Sequence, residues 1–249
     1  MKEYLEFLYE MTIRDLKIKY NGSKAGFFLM ITNPIIQVAI IGLVFSYFIK
    51  IQNYYIFLMS GLIPWQYFSQ TISSSTQSLV NERRLIHKSK FNLEIIPLSI
   101  SLSNFIILIP SLVILTLYQL LTGFISMTHV MMMIPTVLLM LLLTSSLSII
   151  LSVLGVYFRS LTHVINPLLL LFFYSTPIVY KLDMLPENLK KISSISPVSG
   201  YTQLFHYSLL NIKPSYPGII LVGFAMIVLL VFISIRTIKS KGSFIIDKL

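Results

Sequence analysis

Residues 95–158 read IIPLSISLSNFIILIPSLVILTLYQLLTGFISMTHVMMMIPTVLLMLLLTSSLSIILSVLGVYF, a stretch that contains no Asp, Glu, Lys or Arg. A helix needs about 20 apolar residues to cross the hydrocarbon core of a bilayer, so this stretch is too long for one span and predicts two. Gly123, Ser126 and Thr128 favour a turn near its middle and place the break there. The stretch therefore predicts an all-α polytopic membrane protein.

The same composition continues on both sides of this stretch. Four other stretches also lack Asp, Glu, Lys and Arg, namely 25–49, 53–81, 160–180 and 214–235. The chain of 249 residues is 55% hydrophobic, which is typical of a membrane protein and argues against a soluble domain. We predict six transmembrane helices in one membrane domain, at roughly 27–48, 55–79, 96–122, 129–156, 160–180 and 215–236.

The basic residues fall mostly on one side of these spans. Fourteen of the 19 Lys and Arg residues lie on the side that carries both termini, and five lie on the other side. Cytoplasmic loops of membrane proteins carry the excess of Lys and Arg, so both termini are predicted to be cytoplasmic. The formal net charge of +10 is then explained by loops that contact anionic membrane lipid, and we expect no nucleic acid partner.

Two segments outside the spans are predicted to be interfacial. In residues 1–24, charged positions recur every three or four residues opposite a mostly apolar face, which predicts an amphipathic helix lying in the membrane surface. The charged positions are Glu3, Glu6, Glu10, Arg14 and Lys17, and the opposite face is Leu5, Leu8, Tyr9, Thr12 and Leu16. Residues 181–213 are too polar to span at their start, and their apolar second half, Val198 to Leu210, is too short to span. We predict that they form paired re-entrant outer helices at 186–195 and 199–210, broken at Ser196–Pro197.

Residue types that are missing exclude several classes of function. Buried charges within spans mark ion-coupled transporters, and this chain has none there. It also lacks the G-x-x-x-x-G-K-[ST] phosphate loop, so a transporter of this composition is passive or takes its energy from a partner. There is no Cys and no pair of His residues at metal-ligand spacing, so we expect no metal and no cofactor in this chain. An intramembrane glycan-modifying enzyme is a weaker alternative to a transporter, because its only candidate catalytic residues are Glu94, Asp183 and His206.

Three sequence features are candidate functional regions. The predicted cytoplasmic loop NERRLIHKSKFNLE, 81–94, places Arg83, Arg84, Lys88 and Lys90 around the apolar pair Leu85 and Ile86. This pattern suits docking to a soluble partner, although an ordinary basic loop explains it equally well. Aromatic residues cluster near the predicted outer span ends, where lipid contact explains most of them and a pore for uncharged polymer would use others. A hydroxyl patch either lines a water path or packs helices, with packing favoured, and consists of Ser73, Ser74, Ser75, Thr76 and Ser78.

Three blocks of sequence carry a family resemblance. They are RDLKIKYNGSKAGFFLMITNPI (14–36), GLIPWQYFSQTISSSTQSLVNERRLIHKSKFNLEIIPLS (61–99) and LGVYFRSLTHVINPLLLLFFYSTPIVYKLDMLPENLKKISSISPVSGYTQLFHYSLL (154–210). Their order resembles the membrane subunit of ABC-2 type exporters of polysaccharides, the permeases for O-antigen, capsule and wall teichoic acid. The chain departs from the family pattern at Phe91–Asn92 and Ser196–Pro197. An ABC-2 exporter of drugs or lipids is the closest alternative.

The resemblance implies a single ABC-2 type transmembrane domain over 1–249, located in the cytoplasmic (inner) membrane. It also implies a homodimer of this chain with two copies of a separate ATPase subunit that binds ATP and Mg, a coupling loop at 81–92 and a cytoplasmic tail at 237–249. The implied substrate is a glycan on undecaprenyl diphosphate.

The same resemblance assigns three sets of residues. The expected contacts with the ATPase are Glu82, Arg83, Arg84, Leu85, Ile86, His87 and Lys88. The expected entrance for the lipid diphosphate is formed by Arg14, Lys17 and Lys19. The expected glycan channel is lined by Phe45, Phe48, Trp65, Tyr67, Phe172, Phe173 and Tyr180.

Overall fold

The computed structural model describes residues 2–20, 24–88, 91–214 and 218–248, and within these ranges the regular elements are all helices. In chain order they are α1 (Lys2–Tyr20), α2 (Lys24–Phe45), α3 (Tyr54–Ser75), α4 (Ser78–Asn81), α5 (Arg83–Lys88), α6 (Ile95–Leu121), α7 (Met127–Tyr157), α8 (Leu161–Ser175), α9 (Glu187–Ile195), α10 (Pro197–Leu210) and α11 (Gly218–Lys248). One 3₁₀ turn, Leu182–Met184, precedes α9.

The all-helical membrane fold predicted from the sequence is confirmed, but the predicted count of six spans is not. Among the described residues, three helices are long and apolar enough to cross a membrane, namely α6, α7 and the part of α11 from Ile220 to Thr237. The segment Pro34–Phe45 of α2 and the whole of α8 are apolar but shorter. The two short helices predicted around the Ser196–Pro197 break are α9 and α10, and their bounds agree with the prediction within two residues.

Two predicted spans end earlier than their composition indicates. The fifth was predicted to reach residue 180, but α8 ends at Ser175 because Pro177 forces the preceding Thr176 into an extended conformation (φ −93°, ψ 139°). The second was predicted to reach residue 79, but α3 ends at Ser75 and α4 starts separately. The Thr76 hydroxyl donates to the Ile72 carbonyl at this break, a side-chain bond of the kind that competes with regular helix hydrogen bonding.

The sixth predicted span, 215–236, corresponds to a helix that ends later than predicted. The helix α11 continues through the predicted tail to Lys248, and Ile245 near its end is buried. A continuous helix is favoured here because the buried Ile245 holds its last turns against the rest of the chain.

Among the described residues, buried apolar side chains form two separate cores. The larger core is centred on α3, where Phe57 and Leu58 pack with Met140 of α7 and Phe205 of α10. The smaller core joins the ends of several helices through Met11 of α1, Ile86 of α5, Ile96 of α6, Val153 of α7 and Ile245 of α11. The smaller core therefore holds α1, α5 and the end of α11 at the same end of the molecule.

The helix α1 packs on the protein as well as presenting an apolar surface. Thr12 is buried and Leu8 is partly buried against the smaller core, whereas Leu5 and Tyr9 are exposed. The face predicted to lie in the membrane surface is thus divided, because part of α1 lies against α6. Only the exposed part is available to a membrane surface.

The hydroxyl patch at the end of α3 is also divided. Ser75, Thr76 and Ser78 are buried, which agrees with the packing interpretation. Gly155 of α7 lies directly against this end, since a Cβ at position 155 would stand 1.8 Å from the Thr76 carbonyl oxygen. The backbones of α3 and α7 are therefore in contact at a point where a side chain would not fit.

Candidate transport cavity

A cavity of about 670 Å³ lies between α2, α3, α6 and α8, with the end of α1 at one side. Apart from aliphatic residues, its lining divides into a polar and an aromatic group. The polar group is Lys19, Gln37, Gln70, Asn104, Asn166, Ser69, Ser73 and Ser74. The aromatic group is Trp65, Phe173 and Tyr174. A concave site with aromatic walls and a few convergent polar groups is typical of ligand binding.

Most of the polar group lies at a different end of the cavity from Trp65 and Phe173. Gln37, however, lies at the aromatic end, because its Oε1 accepts a hydrogen bond from Gln66 Nε2 (2.9 Å), next to Trp65 in α3. Ser73 lies near the end of α3 and donates a hydrogen bond to Asn166 Oδ1, at the beginning of α8 (2.9 Å). Trp65 lies more than two turns earlier in α3 and contacts Phe173, near the end of α8, with 5.6 Å between ring centroids. The cavity is therefore polar where α3 ends and aromatic towards the beginning of α3.

Lys19 supplies the positive charge of the polar end. Its Nζ donates hydrogen bonds to Asn104 Oδ1 at 2.6 Å and to Ser103 Oγ at 3.2 Å. The amide of Asn104 is held in turn, because its Nδ2 donates to Thr71 Oγ1 at 3.0 Å. Although much of the Lys19 side chain is accessible, protein atoms around the ammonium desolvate it and lower its pKa to about 8, against the opposing attraction of the Asp15 carboxylate. Lys19 is thus a cation at neutral pH whose bonded partners are neutral, which suits an anionic ligand.

The other two predicted entrance cations lie outside this cavity lining. Arg14 forms an ion pair with Glu82 (Nη2 to Oε1, 2.5 Å) and a second with Asp15 (3.1 Å). Lys17 is exposed. Arg14 therefore connects α1 to the residue that precedes α5, and it joins a predicted entrance residue to a predicted coupling residue.

The ion pair between Arg14 and Glu82 gives a direct test of this connection. We expect Arg14→Glu and Glu82→Arg each to lower transport, because each places like charges together where a partly buried pair stood. The double variant should recover at least part of the loss, since it restores opposite charges. Transport rates of the two single variants and the double variant form a double-mutant cycle, and additive losses would contradict the connection.

The helix α5 presents its basic residues and buries one of its apolar residues. Arg83, Arg84, His87 and Lys88 are exposed, whereas Ile86 is only 5% exposed and belongs to the smaller core. The predicted apolar pair is therefore not available as one docking element, because Ile86 anchors α5 to its own chain and Leu85 is partly buried beside it. Lys90 of the same loop lies outside the described residues.

The predicted channel aromatics separate into several environments. Trp65 and Phe173 line the cavity. Tyr67 is buried and bonded through its OH to Ser101 Oγ, and Phe172 lines a different, apolar cavity of about 520 Å³. The remaining three lie outside the described lining: Phe45 packs on the larger core, Phe48 is 80% exposed, and Tyr180 donates its OH to the Tyr174 carbonyl.

Several lining residues were not predicted from the sequence. Gln37, Gln70, Asn104 and Asn166 are amides inside otherwise apolar helices, and Tyr174 stands next to the predicted Phe173. Polar residues within membrane helices are costly and usually face an interior path, so the four amides were the available signal.

Comparison with known proteins defines the class of this chain. A family model described as ABC-2 type transporter matches residues 6–210, so the chain belongs to the ABC-2 type transporter family and is a transporter membrane subunit. A relative named O-antigen export system permease protein RfbA, from Klebsiella pneumoniae, is 28% identical over 238 residues, which cover 93% of this chain and 92% of the relative. Another RfbA from that organism is 29% identical (85% and 86% covered), and one from Myxococcus xanthus is 30% identical (74% and 72% covered).

Proposed function

We propose that this chain is the permease subunit of an ATP-driven exporter that moves a lipid-linked polysaccharide across the cytoplasmic (inner) membrane. Membership of the ABC-2 type transporter family and the names of the O-antigen export relatives support this function. The structural observation that carries it is the cavity, which has a cation at one end and aromatic rings at the other.

Each part of the cavity suits one part of such a substrate. Amide groups donate and accept hydrogen bonds, so they match sugar hydroxyls, which do both. Trp65 and Phe173 are mostly buried, and the small part of each ring that lines the cavity offers apolar area suited to the C–H surfaces of sugar rings. Lys19 would bind the diphosphate that joins the glycan to undecaprenol. A drug or lipid exporter would not need four amides in its lining, and this observation favours the glycan.

The proposed topology has six spans, formed by α2, α3, α6, α7, α8 and α11, with both termini cytoplasmic. The smaller core supports this arrangement, because it brings α1 and the end of α11 to the same end of the molecule. The helices α9 and α10 then lie on the outer side as a re-entrant pair. The high hydropathy of α6, α7 and α11 is consistent with membrane crossing.

The energy is proposed to come from two copies of an ATPase subunit that bind to a homodimer of this chain and carry the ATP and Mg. The exposed cations of α5 form the proposed docking surface. Motion at α5 would reach α1 through the ion pair between Glu82 and Arg14. Because Lys19 lies on the same helix, movement of α1 would displace the cation of the cavity.

Co-purification tests the proposed function. The tagged chain, purified in mild detergent, should bring along an ATPase subunit in equal amount, with ATP hydrolysis in the eluate. The double variant Arg83→Glu with Arg84→Glu should lose that subunit, because it reverses two exposed charges of the docking surface.

The matched control for this test makes the same change of charge elsewhere. Lys190→Glu with Lys191→Glu alters two basic residues of α9, at the opposite side of the proposed membrane, and should keep the ATPase subunit. Retention of the subunit by the α5 variant would refute the docking surface. Absence of any ATPase from the unmodified chain would refute the proposed function.

A further inference from the structure

The cavity lining has an uneven distribution of charge. Among the described residues that line it, Lys19 is the one charged side chain, and it stands at the polar end. The described lining contains amides, hydroxyls, aliphatic groups and aromatic rings beyond this cation, and no carboxylate. The described lining can therefore pair one anionic group of a ligand, at one end of the cavity.

A polymer with an anion in every repeat would be poorly accommodated. Its anions would have to lie along the cavity, away from Lys19, and an anion taken out of water without a partner is strongly destabilised. At the aromatic end no cation is present among the described lining residues, and Trp65 and Phe173 offer an anion only apolar ring surface. Neutral sugar repeats do not meet this cost.

We infer that the exported polymer has neutral, hydroxyl-rich repeats and carries its anionic group only at the lipid end. This inference rests on the proposed function and narrows its substrate class. Polymers with a carboxylate or a phosphodiester in each repeat are excluded by it. Gln70 and Asn166, at the polar end, are the side chains that would select hydroxyl groups over anions, because their amides carry no full charge.

The chain contains its own reporter for a binding test. Trp65 is the single tryptophan of the sequence and lines the cavity, so its fluorescence reports a ligand beside it. The full-length chain is purified in a non-fluorescent detergent. It is then titrated with an oligogalacturonate and, separately, with the fully methyl-esterified form of the same oligomer. The two probes share length and backbone and differ in charge.

The expected result is a saturable change in Trp65 emission with the esterified oligomer and at least tenfold weaker binding of the acidic one. Gln70→Lys adds a cation to the lining and should reduce the ratio between the affinities for the esterified and the acidic oligomer at least threefold. Gln52→Lys makes the same substitution at an exposed position outside the described lining and should leave the ratio unchanged.

The other outcomes separate the inference from the proposed function. Equal or tighter binding of the acidic oligomer would overturn the neutral-repeat inference and leave glycan export intact. A cavity that responds to neither oligomer nor to an isoprenyl diphosphate would overturn the proposed function of the cavity together with the inference.

Discussion

The variant Gly155→Ala is expected to unfold at a markedly lower temperature than the natural chain. The added Cβ would stand 1.8 Å from the Thr76 carbonyl oxygen, and neither backbone can move aside without shifting α3 or α7. Overpacking typically costs about 1–3 kcal/mol and occasionally more, and we expect about 3 kcal/mol here because the obstacle is backbone. For a chain of this length that cost corresponds to a fall of about 6 °C or more in Tm, measured by Trp65 fluorescence in detergent.

Gly218→Ala is the matched control for this variant. Position 218 begins α11, and no described atom lies within 4 Å of the point where an added Cβ would stand, so the same substitution meets no obstacle there. We expect its Tm to equal that of the natural chain within about 2 °C. A Gly155→Ala variant that melts together with this control would contradict the close contact between α3 and α7.

The variant Lys19→Glu is expected to lose export almost completely. It removes the cation that lines the cavity and places a carboxylate beside Asn104 Oδ1, the acceptor that the ammonium contacts at 2.6 Å. A hydrogen bond to a charged group contributes about 1.5–3 kcal/mol, which corresponds to roughly 10- to 100-fold in binding, and reversal of the charge adds repulsion. Export of glycan to the cell surface and binding of an isoprenyl diphosphate to the purified chain measure the two consequences.

Lys17→Glu is the control for this effect. Lys17 is an exposed residue of the same helix, and it is outside the described lining of the cavity. The substitution has the same chemistry, so a general effect of charge on α1 would appear in both variants. Equal losses in both would show that Lys19 does not act through the cavity.

The pH dependence of diphosphate binding distinguishes a ligand-binding role of Lys19 from a purely structural one, which would not give that dependence. Desolvation lowers the pKa of Lys19 to about 8, so the ammonium that we propose binds the diphosphate is lost as the pH rises through that value. Diphosphate binding by the natural chain should weaken over this range, and Lys19→Gln, which has no charge to lose, should bind weakly and without that dependence.

The sequence was sufficient for those features that depend on composition and on neighbouring residues. Apolar stretches without charge predicted a helical membrane protein, and Gly123, Ser126 and the Ser196–Pro197 step marked breaks that the structure contains. The early end of α8 was also encoded locally, in Pro177, although the apolar run that continues to residue 180 concealed it. Backbone restriction by proline acts within one or two residues, which is why it can be read without the fold.

Which side chains meet in the cavity was decided by the tertiary structure. Phe172 and Phe173 are adjacent and chemically identical, yet one lines the apolar cavity and the other the polar one. Successive residues of a helix point about 100° apart, so the rotation of α8 against its neighbours determines which of them faces the path. The sequence by itself determined that this chain is a helical membrane protein. Only the packing of the helices decided that Lys19 lines the cavity while Arg14, five positions earlier, pairs with Glu82.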